Sequence, residues 1–414
     1  MPCLILFMNN APASDSSLTQ RDLWVVRAYY FFLVGGMGFV SPFLNLFFTR
    51  QNLNGFQIGL IVAIGSIVGL VAAPAWTRWS AQSRYPLRLL QISLVLTAIV
   101  TILLSQQRLF LWLSFFFAAR VLVGAGSSPL SDALALRVTQ ALNAGYGSVR
   151  VWGSFGWAII VLGTGWLNEH AGIQAGFFGF GVAMCAAALL LTQVRSPAAA
   201  APTTCGSVRS PSPGFRQVVT RMLHDRALVG LAIMLVIIGV GNIGVIQFEN
   251  IYLSQLGAKD SLIGVASMVS SVVEIPGMLW ADRMVRRFHP AAILLVSLGM
   301  NVLLRAAVFF FPSVFLIIAL KAASGVAFSF YTVALIKFVG ERTRSHETAT
   351  ALAIFTVTLP SIINIAGTPL AGYAFDLLGA HWLYLASVVG YALGLGLLKA
   401  GGSAPVALEN REPG

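Results

Sequence analysis

Apolar runs of about twenty residues, the length an α-helix needs to cross the hydrocarbon of a bilayer, recur twelve times along this chain. They fall at about 24–48, 57–76, 88–106, 109–136, 146–167, 173–193, 227–253, 260–281, 290–311, 314–339, 347–374 and 380–399. Little sequence is left over. Of 414 residues 57% are hydrophobic and only 10% charged, where an ordinary soluble domain has roughly 25% charged. No globular core can take up that much apolar surface, so the solvent this fold faces is lipid. A soluble enzyme, a nucleic-acid module and a disordered chain are excluded, in spite of a formal net charge of +12. The expected fold class is an all-α integral membrane protein with twelve transmembrane helices.

Between the sixth and seventh runs lies a stretch with Pro197, Pro202, Pro211, Pro213 and five arginines. It divides the chain into a tail (1–23), a six-helix bundle (24–194), a linker (195–226), a second six-helix bundle (227–399) and a second tail (400–414). Lys and Arg gather in the loops after even-numbered runs. The loops after odd-numbered runs hold only Arg50, Arg108 and Lys259. The positive-inside rule then places both tails and the linker in the cytoplasm. The short apolar stretch Leu4–Met8 lacks the basic flank and length of a signal peptide, and translation starts at Met1 or Met8. Cys3, Cys185 and Cys205 are too scattered for a disulfide framework or a zinc site.

The two halves echo each other. Arg120-Val-Leu-Val-Gly124 matches Lys321-Ala-Ala-Ser-Gly325, and in the same register Ala133, Leu134 and Val138 match Ala334, Leu335 and Val339. Two pseudo-symmetric six-helix bundles are the layout of a transporter with a site near the bilayer midplane.

Eight charged side chains fall three or more residues inside the ends of the runs: Arg27, Arg120, Arg150, Arg305, Lys321, Asp132, Glu249 and Glu274. A charge at a helix centre costs at least about 2.5–3.5 kcal/mol, so each needs a partner, a wet cavity or a role. Arg27 and Glu249 stand near run ends and are read as snorkelling. Glu274 lies near the midplane, with Arg305 and Lys321 as cations able to pair with it. An inter-helix ion pair is one reading; a proton-carrying carboxylate with counter-charges is the preferred one. Asp132 and Arg150 fall toward the ends of their runs, where a loop-closing salt bridge is as good a reading as a binding pair. Arg150 and Trp157 are seven apart, two helical turns on one face, about 10 Å along the axis. An arginine fork beneath an indole suits a polar ligand with a flat apolar face; plain packing is the alternative for the indole.

On these residues the chain resembles the major facilitator superfamily, in its lactose-permease and phenylpropionate-permease branch. The most specific stretch is Ser131-Asp132-Ala133-Leu134 followed by Tyr146-Gly147-Ser-Val-Arg150-Val-Trp152-Gly153-Ser-Phe-Gly156-Trp157-Ala158. The resemblance implies substrate binding by Asp132, Arg150 and Trp157, and a coupling network of Glu274, Arg305, Lys321 and Arg120. Asp282, Arg283 and Arg286 resemble the remnant of a gating-loop signature that locks helices at the cytoplasmic face. The chain departs from lactose permease at Ser324 and Ala327, where that protein has the His and Glu of its proton relay.

These features together lead us to expect a secondary active transporter, a proton symporter, working by alternating access in the cytoplasmic membrane. Its solute is a sugar or glycoside, or an aromatic carboxylate such as a phenylpropionate-like acid. An uncoupled facilitator or an exporter of the same fold is the alternative. No catalytic cluster is evident, since the five histidines are scattered; no cofactor or metal is implied. The expected partners are the solute, protons and lipid, with no nucleic acid, and the expected state is a monomer.

Overall fold

The computed structural model describes residues 18–83, 85–194, 215–344 and 347–401. Among them there are no strands, and twelve long helices follow one another. In the first half these are α1 (Gln20–Arg50), α2 (Gly55–Gln82), α3 (Pro86–Ser105), α4 (Phe110–Ala141), α5 (Gly147–Ala171) and α6 (Gln174–Gln193). The second half has α7 (Arg226–Gln255), α8 (Asp260–Arg287), α9 (Pro290–Phe310), α10 (Val314–Arg342), α11 (Thr350–Leu378) and α12 (Ala380–Gly401). Eleven helices among the described residues are long and apolar enough to cross a membrane. The twelfth, α5, has the length at 25 residues, but Arg150, Asn168, Glu169 and His170 lower its hydropathy.

Helices α1 and α7 begin ahead of their apolar windows because caps, and not hydropathy, set their first turns. At the start of α1, the Asp22 carboxylate accepts from both the backbone N–H and the hydroxyl of Thr19, each at 2.8 Å. That capping box starts the helix inside the stretch read as a tail; residues 1–17 lie outside the described part. Asp225 caps α7 by accepting from Ala227 N at 2.8 Å. Of the expected polar linker, 195–214 lies outside the described residues. Its last part is a helix, Phe215–His224, with Val218 buried and Arg221 paired with Glu347 just ahead of α11.

The chain groups into two compact units, residues 18–47 with 67–194, and 48–66 with 215–401. Within each, the helices choose equivalent neighbours. In the first unit α1 packs on α5 and α6, while α3 packs on α4 and α6; in the second α7 packs on α11 and α12, while α9 packs on α10 and α12. One hydrogen bond is repeated outright. Buried Ser93 on α3 donates to the Val123 carbonyl on α4 at 2.6 Å, and buried Ser297 on α9 to the Ala327 carbonyl on α10 at 2.7 Å. The packing repeat runs three residues, nearly one helical turn, out of the register of the sequence echo, in which Val123 falls opposite Ser324.

Residues 48–66 join the second unit through specific bonds. Arg50 grips Asp260 with both terminal nitrogens, at 2.9 and 2.5 Å. Asp376 takes the first two N–H groups of α2, Gly55 at 2.6 Å and Phe56 at 2.8 Å. A carboxylate there complements both the unpaired donors and the positive end of the helix dipole.

Small residues let helix backbones touch, as is usual where lipid gives no hydrophobic drive for association. A Cβ on Gly156 of α5 would meet the Phe31 carbonyl of α1, while one on Gly163 of the same helix would meet nothing within 4 Å. Gly156→Leu should therefore destabilise the first unit by about 3 kcal/mol, the upper end of overpacking, and Gly163→Leu by little. Size-exclusion profiles and thermal midpoints of the two variants in detergent check this; equal behaviour would contradict the packing described.

Candidate functional site

The α1–α5 seam and the second segment of α4, Ser127–Ala141, enclose a cavity of about 180 Å³ in the first unit. Its wall includes Tyr30, Ser131, Asp132, Arg150 and Trp157. The local sequence explains the convergence. Helix α4 breaks at Ala125–Gly126, where the Leu122 carbonyl accepts Trp76 Nε1 at 2.7 Å. The helix restarts at Ser127, and Asp132 follows five residues later.

The three residues expected to act together thus line one cavity, but their bonds differ from the expected ones. Asp132 Oδ1 accepts from Tyr30 OH at 2.7 Å and from Tyr146 OH at 2.8 Å. No salt bridge joins Asp132 to Arg150 among the described residues, so the loop-closing reading is corrected. Arg150 is exposed and keeps its fork for other use. Behind the acid, Tyr29 OH and Ser131 Oγ lie 2.5 Å apart, which fixes α1 against α4. The indole Nε1 of Trp157 is buried without a hydrogen-bond partner, an uncommon state for such a donor. Tyr30 and Tyr146 are the site residues that sequence reasoning missed. Tyr146 opens the stretch quoted above, but nothing in a hydropathy profile aims Tyr30 at α4.

A second polar cluster sits in the second unit. Lys321 of α10 donates to Glu249 Oε2. Arg305 of α9 reaches Glu249 Oε1 at 3.3 Å, and Tyr384 OH of α12 donates to the same oxygen at 3.0 Å. The side chains of Glu249, Arg305 and Lys321 are only 12, 14 and 19% exposed. This corrects two expectations. Glu249 does not snorkel, and it is Glu249, not Glu274, that Arg305 and Lys321 close on. The reason is that α7 continues to Gln255. Glu249 is therefore inside the helix, and its face of α7 looks onto α9, α10 and α12. Glu274 lies on α8, where its carbonyl accepts Ser329 Oγ at 3.0 Å.

The remaining expected residues stand apart. Arg120 lies 5.5 Å from the centroid of Phe180, with its Nε buried and unbonded. Asp282, Arg283 and Arg286 are not in a loop but in the last turns of α8. Arg286 pairs with Asp282 at 2.7 Å within the one helix, both exposed, so the pair here is not an inter-helix lock. Ala327 is fully buried, a packing position, and its carbonyl takes the Ser297 bond.

The sequence profile of the MFS_1 like family matches residues 23–386. The chain belongs to the MFS_1-like family. Among relatives of this family member, the uncharacterized transporter YwbF of Bacillus subtilis is 28% identical over 390 residues, covering 92% of this chain and 94% of that one. The maltose permease of Geobacillus stearothermophilus is 31% identical over 282 residues, covering 66% and 67%. Among solved structures, the nucleoside transporter NupG superposes with a TM-score of 0.79 at 13% identity, covering 93% of this chain and 100% of the other. A bacterial homologue of the lysosomal transporter Spinster, in an inward-facing and unoccupied conformation, gives 0.71 at 14%, covering 92% and 96%. At such identities the two structures speak for the fold alone. The protein is a multi-pass membrane transporter of the major facilitator type, and these relatives are named as a transporter and a permease.

Proposed function

We propose that this transporter carries a small organic solute across the cytoplasmic membrane by alternating access, coupled to protons, with both termini on the cytoplasmic side. The observation that carries the reading is the cavity where Tyr30, Asp132, Arg150 and Trp157 meet. Asp132 is held in place by two phenols, so its other oxygen is available to a ligand's hydroxyl or amine. Arg150 brings a planar fork of donors, and Trp157 brings an aromatic wall with an unsatisfied N–H. The resemblance to maltose permease supports a sugar or glycoside as solute; an aromatic carboxylate is the second class. Proton coupling is assigned to Glu274, the acid that depth along the sequence places near the midplane. Asp282, Arg283 and Arg286 are assigned to the cytoplasmic gate, at the end of α8.

Proteoliposome uptake with and without an imposed inward proton gradient tests this, with maltose and 3-phenylpropanoate as first solutes. Gradient-driven accumulation above the equilibrium level supports symport. Uptake that only equilibrates identifies a facilitator, and no saturable uptake of either solute contradicts the reading. Trp157→Phe discriminates further: it should weaken uptake of a sugar, which stacks on the indole, at least about fivefold, and that of an aromatic acid less.

A further inference from the structure

The described part of the linker is the helix Phe215–His224, and it is fastened to the start of α11. The half-exposed Arg221 donates to the buried carboxylate of Glu347, which stands at the N-cap of that start. Beside the pair, Met222 packs on the apolar cluster that holds Ala351 and Phe355. We propose that Phe215–His224 is a strap: it holds the first segment of α11 against a cavity of the second unit, and α11 carries a hinge on which that segment swings free. A strap of this kind acts whatever the solute and whatever ion is coupled to it.

The hinge is written in the sequence. This stretch of α11 is built in three pieces, α-helical Thr348–Ala353, π-helical Ile354–Thr358 and α-helical Leu359–Leu378. Pro360 has no N–H, so the Thr356 carbonyl lacks its donor four residues on. Around it hydroxyls turn back onto the helix. Thr356 Oγ1 donates to the Leu352 carbonyl and Ser361 Oγ to the Val357 carbonyl, each at 2.8 Å. Such bonds often bend helices, and π-turns are frequent at functional sites. In the turn itself the Leu359 N–H reaches the Ile354 carbonyl, five residues back.

The two sides of the turn are held differently. Beyond it α11 is fixed: Thr368 Oγ1 donates to the Gly59 carbonyl at 2.9 Å, Asp376 takes the Gly55 and Phe56 N–H groups, and Phe375 stacks on Phe248 of α7 with ring centroids 4.6 Å apart. Before it, the segment is gripped by Arg221. The cavity, about 460 Å³, lies at the turn, with Phe355, Leu359 and Pro360 in its wall beside Ser324 of α10. Swinging Thr348–Ala353 outward carries Phe355 off that wall. Release costs little, because the Arg221 side chain is already 52% exposed and water takes its place on Glu347 once the segment moves. An ion pair so exposed is weak, which suits a fastening that opens and closes.

Labelling of the full-length protein with N-ethylmaleimide in detergent, read peptide by peptide by mass spectrometry, tests the strap. Ser324→Cys, nearly isosteric, puts a thiol in the cavity wall, and the native, exposed Cys185 is the internal reference. Adding Arg221→Ala should make the cavity thiol react at least about fivefold faster, the shift expected from losing one half-exposed ion pair, while Cys185 keeps its rate. Pro360→Ala returns a donor to the Thr356 carbonyl and stiffens the turn. It should slow the cavity thiol when added alone, and undo at least half of the acceleration when added to Arg221→Ala. An unchanged cavity rate in monodisperse Arg221→Ala protein overturns the strap. So does an equal rise at Cys185, which marks general loosening. If Arg221→Ala does not give monodisperse protein, Pro360→Ala alone decides, and a cavity rate equal to the parent's or above it overturns the hinge. Labelling needs no solute, so failed uptake in proteoliposomes leaves the strap standing, and failed labelling leaves transport standing.

Discussion

Glutamine in place of Glu249 should lower stability by about 3–5 kcal/mol, the usual result of removing one partner from a buried ion pair. The glutamate is the acceptor for Arg305, Lys321 and Tyr384 together, so its loss leaves two cations facing each other with no anion between them. Thermal unfolding in detergent and the yield of monodisperse protein measure the effect. The double variant Glu249→Gln with Lys321→Gln should be less damaged than the sum of the two single variants, since the second change removes a charge that the first left unpaired. Strict additivity would contradict the cluster. Glu249→Asp keeps the charge but shortens the reach, and should fall between parent and glutamine.

That cluster also shows where sequence reasoning stops. The spans were legible because bilayer thickness imposes a length that twenty apolar residues must meet, and the halves were legible because Arg120-x-x-x-Gly124 returns as Lys321-x-x-x-Gly325. Hydropathy measures depth along the membrane normal and says nothing of which way a helix face turns. Glu249 sits two turns from the end of α7 and by depth alone belongs to the interface; its rotation toward α9, α10 and α12 makes it buried. Glu274 looked like the natural partner because its depth was right. The same blindness hid Tyr30, whose hydroxyl reaches Asp132 across 102 residues of sequence. That Asp132, Arg150 and Trp157 gather round one cavity was legible because spacing on α5 and a resemblance over the α4–α5 stretch carry information that depth does not. Helix ends were misjudged for a different reason: Thr19, Asp22 and Asp225 cap by hydrogen bonding, which an apolar window does not register.

The second large effect concerns coupling. Glu274→Gln should abolish accumulation of solute driven by a pH gradient. Exchange of labelled for unlabelled solute should keep at least about half of the parent rate, because exchange needs alternating access but no net proton movement. Gradient-driven uptake and exchange are measured in the same proteoliposomes, beside the parent and beside Asp132→Asn. The asparagine variant should lose both activities, since the proposed function gives Asp132 the task of holding the ligand. If Glu274→Gln concentrates solute as well as the parent does, the proton is carried elsewhere.

On the function proposed above, solute is held where Asp132, Arg150 and Trp157 meet. The most direct measurement is the solute dissociation constant of Arg150→Lys beside the parent. Lysine keeps the positive charge but loses the planar fork, and the exposed Arg150 supports no hydrogen bond or ion pair of the described fold, so the protein should stay folded with an unchanged thermal midpoint. Binding should weaken at least about tenfold, the value of one lost charge-assisted hydrogen bond. Parental affinity in a folded Arg150→Lys protein would contradict the proposed site.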